Sequence, residues 1–236
     1  MLKHKTKSQY FIYFILIICS ANAYCSVITY STGDFIDSEW TSVLDPSSTG
    51  TSIASTPLTG GNPGAFRLVE LSVNPFQFVQ NNQVWSASAY TPSTDGAVTN
   101  ISVSFDITRI FTSNPGATQV AAGLVVVQNG VVHTNLLGST TVSQPVWETI
   151  SVSDITPLFP LIDFISGNTI TFGFFDNVAT SSTGFTISGG YDNFELKITS
   201  TSPPSSVPLP PTIFLFGLGI LFILKNSRST NANQRS

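Results

Sequence analysis

The chain has 236 residues, of which 9% are charged and 42% apolar, with 18 phenylalanines. That is too much apolar side chain for a disordered polymer, and it suits one β-domain of ordinary size. Between residues 24 and 201 all 13 acidic side chains stand against three basic ones, Arg67, Arg109 and Lys197, for a net charge of −10; such a surface repels nucleic acid and anionic lipid, so neither is expected as a partner.

The N-terminus has a three-part layout. Lys3, Lys5 and Lys7 come first, the apolar run 10–19 (YFIYFILIIC) follows, and Ala21-Asn22-Ala23 supplies small residues. This is a secretory signal helix over residues 1–23, with Ala21 and Ala23 read by signal peptidase. The run is well short of the roughly 20 residues that span a bilayer. Cys19 leaves with the signal, so Cys25 is the one mature cysteine and no internal disulfide is possible. The bulky Tyr24 ahead of Cys25 does not suit lipid attachment.

Residues 24–198 read as strands joined by polar turns. Candidates are 26–30, 66–73, 83–90, 99–111, 119–128, 131–137, 147–152, 169–175 and 191–199. In 98–107 (VTNISVSFDI) apolar residues recur at every second position, the mark of a strand with one buried face. Asn129-Gly130 between two Val-rich runs is the strongest hairpin signal. The stretch 154–165 (DITPLFPLIDFI) is apolar but broken by Pro157 and Pro160, which predicts a loop or short helical turn packed on the sheets. Strands without long helices imply an all-β fold, a two-sheet antiparallel β-sandwich.

After the domain comes a polar linker, 199–206 (TSTSPPSS), then Val207-Pro208-Leu209-Pro210-Pro211. An apolar run, 212–224, ends at the basic cluster Lys225 and Arg228, and residues 229–236 form a polar tail. The prolines fix the start of a short transmembrane helix, and the cationic end stays cytoplasmic. Residues 207–228 resemble the PEP-CTERM sorting tags in their VPLP variant. The resemblance departs from the family pattern at Pro211, where Ala is frequent, and in the length of the tail. It implies recognition by an exosortase at the inner membrane, export, and attachment to the surface or to the extracellular polysaccharide and biofilm of a Gram-negative bacterium.

Three further features resemble the jelly rolls of carbohydrate-binding and concanavalin-like proteins: Asp34-Phe35 with Trp40, the turn 60–67 (GGNPGAFR), and the closing run 190–196 (GYDNFEL). In such modules the last strand returns beside the first.

Catalysis is not expected. His133 is the only mature histidine and lies in an alternating run with no nucleophile motif beside it. One His and one distant Cys cannot build a zinc site. Glu39, Glu70, Glu148 and Glu195 are available for glycoside hydrolysis, but no acid/base signature accompanies them. Calcium suits Asp34 and Asp192 if the first and last strands pair; the alternative is that both bond turn backbone. Trp40, Trp85 and Trp147 are the candidate sugar-stacking residues, with core packing as the alternative.

The leading expectation is an exported, non-catalytic structural or adhesive protein of an exopolysaccharide matrix. The alternatives are a carbohydrate-binding module and a secreted glycoside-acting hydrolase.

Overall fold

A computed structural model describes residues 25–116, 119–180 and 182–201. The expected signal helix, the VPLP segment, the expected transmembrane helix and the basic tail lie outside the described residues. Among those described, no helix is long and apolar enough to cross a membrane.

Eleven strands build two antiparallel sheets. In chain order they are β1 (Cys25–Thr32), β2 (Trp40–Leu44), β3 (Thr51–Ser55), β4 (Arg67–Val73), β5 (Phe78–Tyr90), β6 (Val98–Thr112), β7 (Val120–Gln128), β8 (Val131–Thr140), β9 (Glu148–Val152), β10 (Ile170–Ala179) and β11 (Phe185–Thr201). One sheet runs β3-β4-β11-β6-β9, with β1 also on β11; the other runs β2-β5-β10-β7-β8. Nine strands coincide with the expected ones. β2 and β3 are additions, and β11 runs on through Thr201, where Thr199, Ser200 and Thr201 pair with Val27, Ser26 and Cys25. Those three residues belong to the sheet and not to the linker.

Alternation dictates the core. On β6, Ile101, Val103, Phe105 and Ile107 are buried, while Asn100, Ser102 and Ser104 between them are half-buried on the other face. Equivalent rows on β7 (Leu124, Val126) and β10 (Phe172, Phe174) meet them from the second sheet. Burying a large aliphatic or aromatic side chain contributes about 1.5–3 kcal/mol, so this layer is the main source of stability. The stretch after β9 forms a 3-10 turn at Thr156–Leu158 and adds Ile155, Phe159, Ile162 and Phe164 to the core.

Turn chemistry fits the sequence reading. Asn129 and Gly130 take φ values of 55° and 75°, as a two-residue hairpin between β7 and β8 requires. β11 is the long spine. Its first half pairs with β4 and its second half with β1, while its opposite side pairs along its length with β6. A bulge opposite β6 between Asp192 and Glu195, with Asn193 at φ 49°, re-aims the strand midway.

Candidate functional site

The first and last strands do pair, and Asp34 and Asp192 come to one loop. Asp34 Oδ1 accepts the N–H of Ala65 at 3.2 Å, and Asp192 Oδ2 accepts the N–H of Asn62. A third carboxylate joins them. Asp106 accepts the side-chain amides of Asn62 (3.0 Å) and Asn193 (2.8 Å) and the hydroxyl of Thr149. Gly61 and Gly64 are required here: a Cβ at Gly61 would meet Asp192 Oδ2 at 2.6 Å, and one at Gly64 would meet Asp34 Oδ1 at 2.5 Å.

Burial raises the Asp192 carboxyl above its ordinary value; the N–H groups of Asn62 and Asn193 pull it back, and Asp106 and Asp34 push it up again. The aspartates therefore act as acceptors that clasp the 61–65 loop to the sheet. Calcium needs several oxygens turned toward one point. Here the carboxylates are turned toward N–H donors, and among the described residues no three His, Cys, Asp or Glu side chains are gathered to hold a metal ion.

The tryptophans divide. Trp40 and Trp85 are 6% and 4% exposed and stack on each other, with centroids 5.7 Å apart and planes at 3°. Phe194 meets both rings edge-on at 5.9 and 6.0 Å. Neither offers a face to a sugar, because facing positions on β2 and β5 turn both rings into the sandwich. Trp147 is half-buried, edge-on to Phe66 at 5.7 Å, with its tip over Gly190.

The four glutamates do not form a facing pair. Glu39 accepts Trp85 Nε1–H at 3.0 Å, Glu70 accepts Ser188 at 3.3 Å, and Glu148 accepts Thr140 at 2.6 Å. Glu195 pairs with Lys197 at 2.7 Å. His133 is half-exposed on β8, opposite Val126, an ordinary strand position.

A different feature is open to solvent. A groove of about 610 Å³ lies at one end of the β3-β4-β11 region. Its polar lining is hydroxyl and amide: Thr51, Ser72, Asn74, Gln77, Ser113 and Thr186, with Phe185 and Pro75 as apolar surface. No charged side chain lines it. The hydroxyls are organised, since Ser72 and Thr186 share a 2.7 Å hydrogen bond across β4 and β11.

The turn 74–77 makes the rim. Gln77 N–H donates to Asn74 O at 3.1 Å, and Gln77 Oε1 accepts Asn74 N–H at 2.8 Å. Pro75 takes the second position, where its fixed φ fits. The third position calls for a positive φ and hence for glycine, yet it holds Phe76 at φ 63°, with 82% of its surface exposed. A bulky residue in that region is strained, and the ring gains no burial in return.

Sequence reasoning missed this site because it named only tryptophans as platforms. The available signal was Asn-Pro-Phe-Gln between two strand patterns, a turn with an aromatic where glycine belongs.

No family model and no curated protein matches the chain. Among solved structures, the C-terminal family 22 carbohydrate-binding module of Clostridium thermocellum Xyn10B has 15% identity, covering 78% of this chain and 96% of that one, with a TM-score of 0.42. The family 11 module of Clostridium thermocellum, solved with a β-1,3-1,4-mixed-linked tetrasaccharide, has 15% identity, coverage of 74% and 98%, and a TM-score of 0.40. The CBM22-1 xylan-binding domain of Paenibacillus barcinonensis Xyn10C has 10% identity, coverage of 77% and 100%, and a TM-score of 0.41. The sugars named there are ligands of those modules.

Proposed function

We propose that this domain is a non-catalytic carbohydrate-binding module that takes an uncharged glycan in the groove, with Phe76 as the stacking surface. The observation that carries the reading is the groove and its bordering turn: hydroxyls and amides line the groove without a charge, and the turn whose Asn74, Pro75 and Gln77 line it displays Phe76, left-handed and exposed, next to the lining residues. Sugars are bound by aromatic faces against the C–H side of the ring and by neutral donors and acceptors at its hydroxyls. A charge-free lining favours a neutral chain over an anionic one, and the acidic domain around it repels anions further.

The test is binding to neutral and uronic-acid polysaccharides by affinity electrophoresis, with Phe76→Gly alongside the natural chain. Retardation by a neutral glycan that Phe76→Gly loses supports the reading. Equal retardation of both proteins sinks it.

Delivery is the second part of the proposal. It rests on the sequence features of the two ends. Signal peptidase cuts after Ala23, and an exosortase reads Val207-Pro208-Leu209-Pro210 while Lys225 and Arg228 hold the end at the inner membrane. The domain is then presented at the cell surface or in an extracellular polysaccharide matrix, where glycan binding supplies the structural role. Mass spectrometry of the surface-exposed protein should find Tyr24 at its N-terminus and no peptide from 225–236; recovery of that peptide refutes sorting by cleavage.

A further inference from the structure

The charge of the domain is distributed unevenly between its sheets. The strands β2, β5, β10, β7 and β8 contain a single Asp, Glu, Lys or Arg, namely Asp176, and its side chain is buried. The remaining charges belong to the other sheet and to the loops. A domain at −10 over residues 24–201 repels its own copies least across this neutral sheet.

That sheet ends at β8. An edge strand exposes a row of N–H and C=O groups that template a further strand, and proteins blunt such edges with short strands, charges or proline. The other edges are blunted. β3 and β9 have five residues each, and β9 begins with Glu148. β2 also has five residues and lies between Glu39 and Asp45. β1 is longer, but Thr29 and Ser31 sit beside Lys197 and Glu195 of the next strand.

β8 has ten residues (VVHTNLLGST), no proline, no fixed charge, and an uncharged neighbour in β7. Val131, Val132 and Leu136 are exposed, Leu136 by 59%. Its far end is occupied, since Gly138 lies against Ile150 and Thr140 bonds Glu148, and on the inner face Asn135 donates its side-chain amide to Leu158 O at 3.2 Å; the exposed row is Val132, Thr134 and Leu136 on the outer face.

We infer that β8 pairs antiparallel with β8 of a second copy of this chain, joining two five-stranded sheets into one of ten. The stretch is self-complementary about Thr134. Val132, Thr134 and Leu136 share the outer face, opposite Val127, Val125 and Gly123 of β7. With Thr134 on the two-fold axis, Val132 of each copy falls opposite Leu136 of the other, an isologous contact that places apolar side chains together on both sides. The inference is independent of what the groove binds.

The test is sedimentation of the full chain in detergent micelles across a concentration series. The natural protein should pass from monomer to dimer. Thr134→Lys and Thr134→Glu each place like charges opposite each other on the axis and should each weaken self-association by roughly tenfold or more. An equimolar mixture of the two should restore a one-to-one heterodimer, because opposite charges then meet. Thr134 is exposed, so far-UV circular dichroism and melting should stay as in the natural chain. A natural chain that stays monomeric overturns the inference, as does self-association that both variants retain or a mixture that fails to pair.

Discussion

Arg67 on β4 donates through Nε to Oε1 of Gln83 on β5 at 2.9 Å, which ties one sheet to the other inside the sandwich. Arg67 is 3% exposed, and its other contacts are Asp37 and Thr56 at the rim. Gln83 in turn donates to Ser42 at 3.0 Å and to Asn81, which donates on to Ser42 and Ser52. A polar seam therefore replaces apolar packing along the edge formed by β2 and β3. Truncating Gln83→Ala leaves a buried guanidinium short of an acceptor, and the expected loss is about 1.5–3 kcal/mol, read from urea unfolding. Gln83→Glu keeps an acceptor of the same reach and should lose less at neutral pH.

Asp176 carries the clearest pH signature. It is on β10, faces Tyr191 and Gly189 across the core, and its Oδ2 has no hydrogen-bond partner. Tyr191 Oη donates instead to Ala121 O at 3.0 Å. Burial holds the Asp176 carboxyl well above its ordinary value. The folded state then keeps a proton that the unfolded chain releases above about pH 4. The contribution of this group to stability is accordingly greatest in acid and falls as pH rises through the unfolded value toward the folded one; Asp192, raised for the same first reason, adds to the slope in the same direction. Asp176→Asn should flatten the decline and raise the melting temperature at neutral pH, as measured by calorimetry from pH 4 to pH 8.

Phe76→Gly separates stability from binding. Removing a Cβ from a left-handed position relieves on the order of 1 kcal/mol, so the variant should melt higher than the natural chain while losing glycan retention. A core residue behaves in the opposite way, which makes the pair of readouts diagnostic.

Gly123→Ala should destabilise by about 1–3 kcal/mol. A Cβ there collides with the ring of Phe175 and with Asn135 O, one of which is backbone and cannot turn aside. The companion change Gly130→Ala meets no atom, and its cost comes from the positive φ of 75° alone. Comparing the two by thermal unfolding measures steric exclusion against backbone strain.

Much of this architecture was legible in the sequence where burial leaves a two-residue period. β6 and the β7–β8 hairpin show it plainly. β2 (WTSVL) and β3 (TSIAS) were not legible: β2 is exposed after Trp40, and β3 alternates in burial but turns Ser52 and Ala54 inward and Ile53 outward, so its apolar residues do not trace the buried face. The meeting of Asp34 and Asp192 followed from pairing the first strand with the last. The arrival of Asp106 did not, since it depends on the bulge that turns Asn193 toward it. The groove was hidden for a related reason: it is assembled from 49–51, 72–75, 77, 113 and 184–186, none of which carries a motif by itself.

The length of β11 has a mechanical consequence. Phe185 lines the groove at its start, and Thr201 at its end sits beside Cys25, so the groove and the two ends of the described domain are at opposite ends of one 17-residue strand, about 50 Å apart. Under the proposed function, tension between a glycan in the groove and a tether beyond residue 201 would run along that strand. It loads the β11–β6 and β11–β1 hydrogen bonds in shear, many at once, where a pull across the sheet would open them one after another. The proposed load would therefore fall along the strands and not across them.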